Sequence, residues 1–184
     1  MCGMKVVDFS FFAVSDPLDT LYNNWSRRYE YPWVFSRLMA YGAHTVHNTA
    51  CGGGFDVHKQ FMERLSDNYE VVHSDIEELY CDESVYFDIT KPIDNPDKIN
   101  CFDAVVCVSA IEHIPNVKPI TIIKNLMEQL KPGGVLLITF DAPPVNWSEL
   151  TFDLQHECRM PDDVLLCFEP EYLATKVIRL EIIK

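Results

Sequence analysis

Residues His44–Phe61 read HTVHNTACGGGFDVHKQF, with three consecutive glycines at 52–54. A short β-rich run, Thr45–Ala50, precedes them. After them Val57, Phe61 and Leu65 recur at i, i+4 and i+8, one face of a helix. Glycine costs roughly 0.5–1 kcal/mol relative to alanine inside a regular element. The chain has only seven, so three together mark a turn and not a strand or helix interior. The order is strand, glycine turn, helix. A backbone without Cβ atoms admits close approach by a ligand, and a helix N-terminus presents amide groups to it. The plainer alternative is a glycine turn with no ligand.

The same alternation continues outward. Strands are predicted over Thr45–Ala50, Glu70–Asp75, Ser84–Ile89, Phe102–Ser109, Gly134–Phe140 and Val177–Ile183. Ile120, Ile123, Met127 and Leu130 repeat at helical spacing, and Lys131-Pro132-Gly133-Gly134 ends that helix and turns into the next strand. Strands alternating with helices imply an α/β fold: a doubly wound, mostly parallel sheet with helices on both faces. Upstream, Phe35, Leu38 and Met39 predict a helix running to Gly42 inside an aromatic block. Downstream, Asp141-Ala142-Pro143-Pro144 opens a loop, and irregular chain is expected to about Pro170. The C-terminal edge is expected to be short of a strand, leaving an edge to be covered or paired, as in a homodimer. The whole chain, 1–184, is read as one domain. Residues 1–43 form a helical and aromatic cap, 44–142 the ligand-binding core, and 143–184 a loop and terminal strand.

Composition narrows the function. Lysine and arginine total 15 against 28 acidic residues, a net charge of −13. Such a field opposes nucleic acid, whose binding rests on cation–phosphate contacts. No apolar run approaches the ~18 residues of a membrane span, and MCGMKVVDFSFFAV at the N-terminus reads as mature protein. The seven cysteines form no Cys-x-x-Cys pair and are odd in number, which fits reduced thiols and a cytoplasmic location. His44-x-x-His47, Glu112-His113 and His156-x-Cys158 fall short of a zinc ligand set, so no metal is expected. The expected partner is a small molecule.

The strand ends carry the chemistry. In an open parallel sheet, ligands bind beyond the carboxyl ends of the strands where strand order reverses. Asp75 ends the second strand 21 residues after Gly54, suited to the two hydroxyls of a ribose. Ile76 beside it suits a purine face. Asp88 and Ile89 at the third strand offer an acceptor for an amine and a second apolar face. The fourth strand flows into Ser109-Ala110-Ile111-Glu112-His113.

Taken together, VHNTACGGG, VVHSDI, YFDIT, FDAVVCVSAIEHI and LKPGGVLLIT resemble the class I S-adenosylmethionine-dependent methyltransferases, in the family's order and over residues 45–140. The resemblance implies a Rossmann-like fold and S-adenosyl-L-methionine as cofactor. It implies that Ala50, Cys51, Gly52 and Gly54 line the methionine part, that Asp75 holds the ribose, and that Asp88, Ile76 and Ile89 meet the adenine. Ser109 and Ala110 would border the sulfonium, and Ile111 to His113 the substrate. Two positions depart from the family's pattern. An acid is usual where Asn48 stands, and a glycine where Ala50 stands.

His113 is the expected general base, needed only if the acceptor must lose a proton; the alternative is a structural hydrogen-bonder. Glu112, Asp141, Tyr31 and Trp33 are read as substrate-side residues, with a cap role for Asp141 and core packing for the aromatics as alternatives. Tyr29 and Trp147 are read in the same way. The rival functions are a nicotinamide-dependent oxidoreductase, to which Tyr172-x-x-x-Lys176 would contribute, and a non-catalytic S-adenosylmethionine-binding subunit. TACGGGFD lacks the T-G-x-x-x-G-x-G turn of short-chain dehydrogenases.

Overall fold

The computed structural model describes residues 27–52, 56–77, 84–142, 145–157 and 176–184. They form α1 (Arg27–Tyr41), β1 (Thr45–Thr49), α2 (Asp56–Asn68), β2 (Glu70–Asp75), β3 (Ser84–Tyr86), β4 (Phe102–Val108), α3 (Pro119–Glu128), β5 (Leu130–Ala142), α4 (Trp147–Glu157) and β6 (Lys176–Ile183). The sheet order is β3-β2-β1-β4-β5-β6. The first five strands are parallel, and β6 runs antiparallel to β5 along the edge. Strand order reverses between β1 and β4, which puts the crevice at their carboxyl ends.

Residue alternation sorts the core into two layers. Val46, Ala104, Val106, Val135 and Leu137 face α1 and α2, where they meet Tyr31, Val34, Leu38, Phe61 and Leu65. Val105, Cys107, Leu136, Ile138 and Phe140 face α3 and α4, with Ile122, Ile123, Leu126, Leu150 and Leu154. Both faces of the central strands are therefore dry, as parallel strands require.

Four expectations about the elements need correction. The α1 helix does end at Tyr41, closed by Gly42 at φ +60. The Ala43 amide donates to the Leu38 carbonyl (3.0 Å) and the Gly42 amide to that of Met39 (3.1 Å), the paired bonds of a Schellman motif. Its buried face, however, is Glu30, Tyr31, Val34, Arg37 and Leu38, so Met39 points to solvent, 76% exposed. Second, Leu130 starts β5 and does not end α3. Third, Lys131–Gly134 lies inside β5 as an irregularity: Phe102 pairs with Leu130 but Ala104 with Val135. A Cβ on Gly134 would stand 2.9 Å from the Asp103 carbonyl oxygen, so only glycine fits there. Fourth, the stretch after Pro144 contains α4.

The sheet interior holds two hydrogen-bonded histidines. His47 Nδ1–H donates to Gln129 Oε1, and its Nε2 accepts from Ser74 Oγ (2.7 Å). Burial pushes its pKa down to about 4. Asn48 Nδ2 donates to His73 Nδ1 (3.1 Å), and His73 Nε2 pairs with Ser66 Oγ (3.0 Å). Cys101 and Cys107 are free thiols, and no helix among the described residues is long and apolar enough to cross a membrane.

Candidate active site

The end of β1 supplies a turn under strain. Ala50 has φ +47 and Gly52 φ +72. The left-handed conformation costs a residue with a Cβ about 1–3 kcal/mol. Glycine is thus the residue the backbone at 50 would prefer, which explains the family's usual choice there. Gly52 has a second reason to be glycine, since its Cβ would meet the His58 ring 3.3 Å away.

The end of β2 closes on this turn. Asp75 is 9% exposed, and its Oδ2 accepts the Gly52 amide (3.0 Å) while Oδ1 accepts the Glu77 amide (3.3 Å). The Cys51 amide donates to the Ser74 carbonyl (3.1 Å). Each carboxylate oxygen retains a lone pair for a further donor. Ile76 next to Asp75 is 56% exposed, an apolar side chain left open beside an acid. An acid suited to a diol, an open apolar face and a glycine in the adjoining turn fit an adenosyl ligand.

Just beyond β3, which ends at Tyr86 and not at the expected Ile89, the fit is partial. Thr90 donates to Asp88 Oδ1 from its amide (3.0 Å) and hydroxyl (2.6 Å), and Lys91 pairs with Oδ2 (3.0 Å). These contacts, Thr90 first, hold the Asp88 pKa below its ordinary value. An adenine amine would compete with Lys91. Ile89 is 5% exposed and belongs to the apolar core, so its side chain is a packing residue and does not stand open as a ring face.

The carboxyl ends of β4 and β5 hold a network the sequence reading missed. Ser109 also adopts a left-handed conformation, φ +45. Its hydroxyl donates to Glu30 Oε1 (2.6 Å), as does that of Thr139 (2.6 Å). Arg27 Nη1 donates to Glu30 Oε2 (2.5 Å) and to Ser109 Oγ (2.6 Å). The first turn of α1 thus reaches the strand ends, while the rest of α1 lies along the sheet. Arg37 holds it there through Glu181 (2.6 and 3.1 Å), which also accepts from the Tyr41 hydroxyl. Glu30 and Thr139 were findable only as polar residues at buried helix and strand positions.

Beyond Ser109, Ala110 opens the short turn Ile111–His113. Ile111 is 3% exposed and packs in the core, so only Glu112 and His113 of that turn are available to a ligand. Glu112 Oε1 accepts the Asp141 amide (3.2 Å). Glu112 Oε2 and Asp141 Oδ1 are both buried without a hydrogen-bond partner. Burial raises both acids above their ordinary pKa values, and Glu30 raises Asp141 further. His113 is exposed and lowers both.

Other expected positions fall elsewhere. Asn48 spends its amide on His73 inside the sheet. The Tyr31 ring stacks on Phe61 (centroids 3.8 Å apart) and is 1% exposed; only its hydroxyl comes near the turn, 2.9 Å from His58 Nδ1. Trp33 packs against the α1–α2 layer. Gly54, Tyr172 and the side chains of Tyr29 and Trp147 lie outside the described residues. Among the described residues no group of three His, Cys, Asp or Glu could hold a metal.

The profile of a methyltransferase domain family matches residues 47–138, from β1 to β5. The chain belongs to that family. This methyltransferase uses S-adenosylmethionine as its cofactor. Its fold is similar to that of an S-adenosylmethionine-dependent methyltransferase from Archaeoglobus fulgidus, with a TM-score of 0.60 at 16% identity over 92% of this chain and 100% of that one. It is also similar to the 1,6-didemethyltoxoflavin-N1-methyltransferase of Burkholderia thailandensis, seen with its substrate and S-adenosylhomocysteine: TM-score 0.58, 16% identity, 98% of this chain and 94% of that one. No curated protein sequence matches the chain. The family excludes the nicotinamide reading; Tyr172 and Lys176 share their spacing with dehydrogenases by coincidence.

Proposed function

We propose that this methyltransferase acts on a small polar metabolite in the cytoplasm, as one domain spanning 1–184. One observation carries the reading. The crevice at the reversal of strand order is bordered by Gly52, Asp75 and Ser109, and beyond Ser109 it ends in two acids with unpartnered oxygens. The net charge of −13 supports a small ligand over nucleic acid. The Burkholderia neighbour has a small-molecule acceptor.

The cofactor supplies an electrophilic methyl on a sulfonium, with a neutral thioether as leaving group. The chain supplies orientation, which accounts for up to roughly 7–11 kcal/mol of a barrier in well-aligned systems. Asp75 would hold the ribose diol, and the Cys51–Gly52 turn, whose amides are engaged by Asp75 and Ser74, would line the methionine part. Ile76 would cover one face of the adenine, and Asp88 would meet its amine after releasing Lys91. On the substrate side Glu112 and Asp141 accept hydrogen bonds from the acceptor. His113 takes a proton when the nucleophile is a hydroxyl; an amine acceptor leaves it without a task.

The test is a thermal-shift titration with S-adenosylhomocysteine, followed by cofactor turnover on a panel of small amines, hydroxyl compounds, tRNA and DNA. A rise in melting temperature and turnover on a small acceptor are expected. Turnover confined to nucleic acid would overturn the substrate class. Binding without turnover on any acceptor would favour the non-catalytic subunit.

A further inference from the structure

Glu30 is 0% exposed, on a helix whose Tyr31, Val34 and Leu38 already fix it to the sheet by apolar packing. A helix anchor needs no carboxylate at that point. Glu181, the other buried acid that α1 touches, is matched by two donors from Arg37. Glu30 is met by a single Arg27 nitrogen, which is shared with Ser109. Both members of the pair therefore stand one hydrogen bond from the Ser109 hydroxyl, at the strand end where the resemblance puts the sulfonium. Asn48, where an acid is usual, is neutral and turned to His73.

We propose that the Arg27–Glu30 pair sets the electrostatic potential at the Ser109 end of the crevice, and so sets how strongly the site prefers the charged cofactor to its neutral product. S-adenosylmethionine and S-adenosylhomocysteine differ by one methyl and one positive charge at sulfur. The ratio of their affinities therefore reports the field at that atom, and most other contacts cancel. Glu112, Asp141, His113 and His58 also face the region, and they are common to every variant compared. Removing Glu30's charge makes the potential at that end more positive, which opposes a cation. Removing Arg27's charge leaves Glu30 uncompensated, which favours one. A pair that only anchored α1 would loosen both ligands alike.

The inference rests on the methyltransferase reading and is tested by equilibrium titration of both compounds against the full chain. In Glu30→Gln the preference for S-adenosylmethionine should fall by on the order of tenfold, the effect expected of one poorly screened charge at close range. In Arg27→Gln it should rise. An unchanged ratio in both variants overturns the proposal, whatever happens to the separate affinities. If Glu30→Gln fails to fold, Arg27→Gln decides alone: a rise supports the proposal and no change overturns it. Failure of the native chain to bind either compound would instead overturn the methyltransferase reading.

Discussion

The two ends of the crevice are built differently. At the β2–β3 end, acids are satisfied by near neighbours: Asp75 by the Glu77 and Gly52 amides, Asp88 by Thr90 and Lys91. Asp88 is held below its ordinary pKa. At the β4–β5 end, contacts run between distant segments, Ser109 to Glu30 across 79 residues and Thr139 to Glu30 across 109. There Glu112 and Asp141 are pushed above their ordinary values by burial. The first end is stocked with donors and its charges are settled. The second has acceptors to spare. One suits recognition of an invariant nucleoside, and the other suits a reacting group whose charge changes.

The comparison breaks most sharply if both ends answer alike to mutation. His113→Ala touches only the second end. With a hydroxyl acceptor its turnover should fall by about 100-fold or more, the usual worth of a general base, and S-adenosylhomocysteine affinity should be unchanged. Steady-state kinetics beside a binding titration checks this; equal turnover would leave His113 without a role in proton transfer. Asp75→Ala is the reciprocal probe. It removes a charged acceptor from the Gly52 amide and from the ribose that Asp75 is proposed to hold, and each such bond is worth about 1.5–3 kcal/mol. Cofactor affinity should drop about 30-fold or more, abolishing most of the thermal shift, and an unaltered shift would remove Asp75 from the site.

How much of this was legible in the sequence follows the same division. The first end was, because its partners lie within a few residues or in the adjacent turn, and glycines and strand-terminal acids stand out locally. Ile89 went astray because a β-rich run shows its alternation but not which face is covered. The second end was hidden, since nothing local pairs Glu30 with Ser109 or Thr139. The α4 helix was legible but overlooked. Asn146 followed by Glu149 is a capping pattern, and Asn146 Oδ1 does accept the Glu149 amide (3.3 Å). Met39 was misplaced because Phe35–Met39 spacing outweighed the longer stripe through Glu30, Val34 and Leu38.

A pH experiment sharpens the electrostatic half of the contrast. An acid raised in the folded state favours folding when protonated. Its contribution is fully present below the unfolded pKa and is lost as pH rises through the folded one. Glu112 therefore weighs against the fold near neutrality. Glu112→Gln keeps the acceptor for the Asp141 amide, removes that charge, and brings a donor to a region where Asp141 Oδ1 has no partner. The ligand-free protein should melt about 2 °C higher at pH 7.5, the response to roughly 0.5–1 kcal/mol in a chain of this size. At pH 4 most of that gain should vanish. Asp88→Asn should do the opposite, destabilising at pH 7.5 and doing so less in acid, because Asp88 is lowered.

The smallest effect tests whether the strain at the two ends serves the same purpose. Ala50 and Ser109 both hold a left-handed backbone at the mouth of the crevice, φ +47 and +45. Ser109 has a reason to carry a side chain there, since its hydroxyl joins the Arg27–Glu30 pair. The methyl group at 50 packs against the edge of the core but makes no hydrogen bond, so its strain is offset only by that packing. Ala50→Gly should relieve the conformation against a partly offsetting gain in unfolded-chain entropy, for a net stabilisation of about 0.5–1 kcal/mol. Ser109→Gly should relieve similar strain but lose the hydroxyl from a buried charged network, and so should destabilise. Chemical denaturation of the two variants reads both signs. If both substitutions stabilise, the Ser109 hydroxyl contributes less than its conformation costs, and the second end is held by Glu30, Arg27 and Thr139 alone.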